Sequence, residues 1–86
     1  MDTYHIEVTD TFSGEANYCW KKEFIVSANS SLGAINKLSK SQGKGWRKKW
    51  DSGDTIRYDM TGDCICAFVM YVPESAISSF NGVKRI

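Results

Sequence analysis

Nine consecutive residues, CICAFVMYV (64–72), carry no charge and are apolar on both faces of an extended chain, and Pro73 follows them directly. The run is too short for the roughly 20 residues a bilayer span needs. It reads instead as the best-buried strand of a sheet, stopped where proline cannot donate to a ladder.

The other segments fit around that strand. Tyr4, Ile6 and Val8 alternate with His5, Glu7 and Thr9, and Tyr18, Trp20, Lys22, Phe24 and Val26 repeat the same two-residue period. With the turn-rich DTFSGEAN (10–17) between them they form an antiparallel hairpin. In SANSSLGAINKLSKSQG (27–43) the period changes, and Leu32, Ala34, Ile35 and Leu38 fall at helical spacing. Ser30 is the expected N-cap and Gly43 the expected C-cap residue. Gly33 weakens the first turn by about 1 kcal/mol relative to alanine.

Trp46, Lys48 and Trp50 alternate with Arg47 and Lys49 in a third strand, and the turn DSGD (51–54) offers Gly53 for positive φ. Ile56, Tyr58 and Met60 alternate with Arg57 and Asp59 in a fourth, and TGD (61–63) turns into the apolar run. PESAISSFNG (73–82) has the composition of one or two helical turns closed by Gly82; the tail VKRI carries no assignment. The expected fold is α+β over one domain, 1–86: a small antiparallel sheet in the order β-β-α-β-β-β, a short C-terminal helix, and one helix packed on one face of the sheet. The opposite face is solvated or a contact surface.

A chain of 86 residues has a compact core and little room for a deep substrate cavity. The N-terminus MDTYHIEV shows neither the basic nor the apolar region of a signal peptide. The three cysteines Cys19, Cys64 and Cys66 read as reduced, mostly buried thiols of a cytosolic protein, since positions i and i+2 of one strand pair poorly. Joined to His5 they match no common zinc spacing. His5 shares a strand face with Glu7 and Thr9 that reads as solvated. No cation stands beside Cys19 or Cys64 to activate a thiolate, and no phosphate loop or calcium loop is present. The expectation is a non-enzyme with no cofactor and no metal.

Charge is segregated although the net is only +1. Residues 1–20 hold Asp2, Glu7, Asp10 and Glu15 without a lysine or arginine. Residues 24–50 hold Lys37, Lys40, Lys44, Arg47, Lys48 and Lys49 without an acid, and 51–63 return to four aspartates against Arg57. Plain self-complementarity in a soluble domain is one reading. In a second, Lys40, Lys44, Arg47, Lys48 and Lys49 contact nucleic acid or a partner, with Trp46 or Trp50 stacking on an unpaired base. Parity opposes this, because it sends both tryptophans to the core and leaves Arg47 and Lys49 to water. In a third, Glu7, Asp10 and Glu15 present an acidic hairpin to a basic groove on a protein partner.

YHIEVTDTFSGEANYCW, GAINKLSK, GWRKKWDSGDTIRYD and CICAFV, spanning residues 4–72, resemble small proteins carried by phages and mobile elements, anti-CRISPR proteins among them. The resemblance implies a phage-encoded inhibitor in the cytoplasm of the infected bacterium. Such a protein blocks a Cas nuclease or RNA-guided surveillance complex by stoichiometric occlusion. It assigns no functional residue here, and the near-neutral charge favours a local acidic patch over wholesale DNA mimicry. The alternative is a small RNA- or DNA-binding accessory domain that uses the segment 37–50.

Overall fold

Ile65–Val72 lies inside the sheet, hydrogen-bonded on both sides. The computed structural model describes residues 1–42 and 45–86. Along the chain these residues form β1 (Asp2–Phe12), β2 (Glu15–Ala28), α1 (Ser31–Gln42), β3 (Trp46–Asp51), β4 (Thr55–Met60), β5 (Ile65–Val72), a 3-10 helix (Glu74–Phe80) and β6 (Lys84–Arg85). The strands make one six-stranded sheet in the order β3-β4-β5-β1-β2-β6. Gly43, the expected C-cap, and Lys44, one of the expected contact residues, lie outside the described residues.

All neighbours are antiparallel except β2 and β6, which run parallel with Phe24 opposite Lys84 and Ile25 opposite Arg85. The sheet is therefore mixed and has a strand more than expected. The tail VKRI supplies it: the Ile86 amide donates to the Ile25 carbonyl at 3.0 Å, and the Ile86 side chain packs against the core.

One face of the sheet carries the main core. Tyr4, Ile6, Val8, Phe24, Val26, Ala67 and Val69 project toward Ala34, Ile35 and Leu38 of α1. The N-cap is as expected, with the Gly33 amide donating to Ser30 Oγ at 3.0 Å. Leu32 is exposed instead of packed. At 100° per residue it falls about 120° round the helix from Leu38, so its position in the apolar stripe is only apparent.

The other face was expected to be solvated beside His5, Glu7 and Thr9, yet His5 is 6% exposed and Thr9 fully buried. Two segments cover it. The 3-10 helix crosses one end and places the Phe80 ring 4.8 Å from the His5 ring. The tip of the β1–β2 hairpin folds over the other end. Ser13 (φ 53°) and Gly14 (φ 83°) make a two-residue turn with both φ positive, as the right-handed twist of a tight hairpin prefers. Behind it, the register slips between Thr9↔Lys21 and Thr11↔Ala16, so Asp10 alone faces residues 17–20. That surplus bends the arm.

Candidate binding surface

The residues most able to meet a ligand sit on β3, at the edge of the sheet. Its pairing with β4 runs Trp46↔Met60, Arg47↔Asp59 and Lys48↔Tyr58, then resumes at Trp50↔Arg57. Lys49 is the extra residue of a β-bulge, and beyond it the alternation of faces reverses. Trp46 and Lys48 therefore lie on the helix side, while Arg47 and Trp50 lie on the opposite side. The two tryptophans do not share a face, as strict parity requires, because the bulge inserts one residue between them. Trp46 packs against the core, but Trp50 is 42% exposed.

Trp50 rests on a small built platform. Its ring lies 6.1 Å from Phe68 at a 49° tilt, and the Arg57 guanidinium sits 6.0 Å over the same phenyl ring. Arg57 is 6% exposed, rare for a cation unless it is fully partnered. Its Nε donates to Asp59 Oδ1 at 2.9 Å, and its Nη2 donates to the Gly14 carbonyl at 2.8 Å. Arg57 thus joins β4 to the folded hairpin tip and holds Phe68 under Trp50. Arg47, Lys48 and Lys49 are exposed and form no ion pair among the described residues. Lys40 is exposed on the last turn of α1. The basic residues divide over two faces, Arg47 joining Trp50 and Lys48 turning to the helix side.

The acidic residues are placed differently. The Glu7 side chain is 18% exposed and lies 3.8 Å from Lys21 Nζ. Partial desolvation and the neighbouring Glu7 carboxylate push the Tyr18 phenol up. Asp10 fills the hairpin irregularity. Its Oδ2 accepts from Asn17 Nδ2 at 2.8 Å and its Oδ1 from the Cys19 amide at 2.9 Å, opposite the left-handed Tyr18 (φ 55°). The Asn17 bond, with backbone amides behind it, holds the Asp10 carboxyl below its usual range. Of the three acids expected on a contact patch, Glu15 alone is exposed. Exposed Phe12 stands opposite it at the tip.

His5 Nε2 lies 3.4 Å from Glu23 Oε1, an ion-pair distance without hydrogen-bond geometry. The cysteines are mostly exposed, contrary to expectation: Cys66 is buried, whereas Cys19 and Cys64 lie at the surface beside the hairpin irregularity and the β4–β5 turn. Burial raises the Cys66 thiol, the direction opposite to activation. Among the described residues no cluster of three or more His, Cys, Asp or Glu is placed to hold a metal ion, and no helix is long and apolar enough to cross a membrane.

Sequence reasoning missed Arg57 and Phe68 as parts of a site. One signal was available, since Arg57 and Asp59 at i and i+2 must share a strand face, and such a pair inside an otherwise buried strand marks a partnered cation. The reversal at Lys49 carries no local signature. No protein-family model, curated protein or solved structure matches this chain.

Proposed function

We propose that this chain is a non-enzymatic binding protein whose working surface is the bulged edge strand β3, and that it holds a single-stranded stretch of nucleic acid there. The observation that carries this reading is the exposed Trp50 indole, turned out of the core by the bulge and supported from beneath by Phe68. An indole held in this way is a stacking platform for an unpaired base, and such stacking is worth about 1–3 kcal/mol per base. Arg47 beside it and Lys49 at the bulge, neither in an ion pair among the described residues, supply cations for the adjoining phosphates. Duplex fits less well, because its bases are already stacked on one another.

Retardation of a short single-stranded RNA at low salt tests the reading. Trp50→Ala is expected to weaken binding about 10- to 100-fold. Replacing Arg47 and Lys49 together by alanine should flatten the dependence of log affinity on log salt by about 1.4. A parent protein that retards no single strand at low salt would sink the proposal.

A second reading, a phage-borne stoichiometric inhibitor that blocks a Cas nuclease or RNA-guided complex, draws support from the hairpin tip. There Phe12 is 73% exposed and stands opposite Glu15, an apolar and acidic pair suited to a basic cleft on a protein. It predicts a one-to-one complex lost on Glu15→Lys with Phe12→Ala and untouched by Trp50→Ala. The nucleic-acid reading predicts the reverse.

A further inference from the structure

At the end of the sheet away from β3, an edge is only partly paired. β2 runs for 14 residues, yet β6 covers it at Phe24 and Ile25 alone. The Ile86 amide reaches the Ile25 carbonyl, so the backbone of Ile25 faces outward. Outward and inward residues alternate along a strand, which turns Lys22 and Phe24 to β1 and leaves Lys21 and Glu23 facing the open side. The β6 ladder begins with Lys84 opposite Phe24. Before it, the Glu23 N–H and both backbone groups of Lys21 have no partner among the described residues. Toward the hairpin tip the run is closed by left-handed Tyr18 (φ 55°) and by the Cys19 amide, which turns back to Asp10. The open stretch is therefore Trp20–Glu23, in line with a strand that the same edge already accepts.

Its charge selects the occupant. Lys21, Lys22, Lys84 and Arg85 are all exposed around it, against Glu23 alone. Lys22, Lys84 and Arg85 form no ion pair among the described residues. On the helix side, where β6 begins, Lys22 and Lys84 flank a shallow recess whose wall includes Phe24. A second copy is a poor occupant, because antiparallel pairing centred on Lys21 or Lys22 sets that lysine opposite itself. We infer that Trp20–Glu23 is a docking edge for an extended acidic peptide segment of a protein partner, distinct from the β3 surface and independent of it. The segment adds to β2 as a further strand in line with β6; its backbone meets Lys21 and Glu23, and an acidic side chain opposite Lys22 shares the face of Lys22 and Lys84.

Titration of the ¹⁵N-labelled protein with acetyl-Thr-Glu-Thr-Val-Thr-amide tests this. Without peptide, the Lys21 and Glu23 amides should exchange with solvent faster than those of Lys22 and Phe24. Saturable binding is expected with a dissociation constant on the order of 0.1–1 mM, shifting the Lys21 and Glu23 amide resonances and slowing their exchange. Replacing the peptide's glutamate by lysine should weaken binding about tenfold, and Lys22→Glu in the protein should reverse that preference. N-methylation of the middle threonine removes the donor to the Lys21 carbonyl and should abolish binding, which charge attraction alone would not do. Absence of saturation up to about 5 mM, well beyond that range, would overturn the inference. So would equal binding of the acidic and basic peptides, or undiminished binding after N-methylation. Protection of Lys21 and Glu23 that grows with protein concentration alone would place a second copy on this edge and overturn it as well.

Discussion

The two faces of the sheet are covered in different ways. On the helix side one amphipathic segment, α1, lays Ala34, Ile35 and Leu38 on a continuous apolar floor from β1, β2 and β5. On the other side two short segments cover the sheet piecemeal, held largely by polar contacts: Arg57 to the Gly14 carbonyl, Asp10 to Asn17 and Cys19, and Phe80 against His5. Between them Trp50 is left half open. Apolar area is additive and tolerant of small errors, whereas a hydrogen-bonded latch depends on each partner. The first face should fail by losing the whole fold, and the second by losing local order.

Leu38→Ala puts the largest load on this contrast. Leu38 is fully buried under the helix, and truncation should cost about 2–5 kcal/mol in urea unfolding, with all probes shifting together. Arg57→Met is the matching change on the other side. It leaves the Gly14 carbonyl and Asp59 without their donor, and about 1–3 kcal/mol should be lost. The distinguishing readout is amide exchange, which should quicken in the hairpin arm, at Thr11 and Cys19, well before it does in β5. Uniform quickening would show that the two faces are one cooperative unit.

Acid should loosen the same arm. The folded Asp10 carboxyl titrates below its ordinary value of 3.8, so its stabilising effect is complete above that value and is lost as pH falls through the folded pKa. Arm protection should therefore decline below about pH 4. Asp10→Asn should remove this pH dependence and weaken the arm at neutral pH. The smallest effect is expected at Gly33, where an added Cβ would meet Ser30 Oγ at 3.4 Å and Ala28 Cβ at 3.5 Å, ordinary contacts. Gly33→Ala should stabilise the protein by about 0.5–1 kcal/mol, seen as a raised melting temperature.

The same division decides what was legible in the amino-acid sequence. The hairpin, the helix with its Ser30 cap, the turns at Gly53 and Gly62 and the buried run ending at Pro73 follow from periodicity and turn chemistry. Each of those signals is local. The two bulges are not. The one at Asp10 depends on a carboxylate reaching amides seven and nine positions away, and the one at Lys49 on how β4 sits beside β3. Because side-chain direction counts residues, one unforeseen insertion reversed the reading of Trp50 and with it the character of the site. β6 escaped notice for another reason: two residues show no period, and only the β2 edge makes them a strand.

The bulge at Lys49 also bears on self-association. A free sheet edge is a template on which another chain can add a strand, and regular, uncharged edges are the hazardous ones. Here the outer edge of β3 has its ladder interrupted at Lys49 and carries Arg47, Lys48 and Lys49 in a row, so an identical edge brought alongside meets a broken register and like charge. At the far edge β6 is only two residues long. The β3 end of the sheet offers no regular run on which copies could stack, so the device that exposes Trp50 also guards that edge against strand addition.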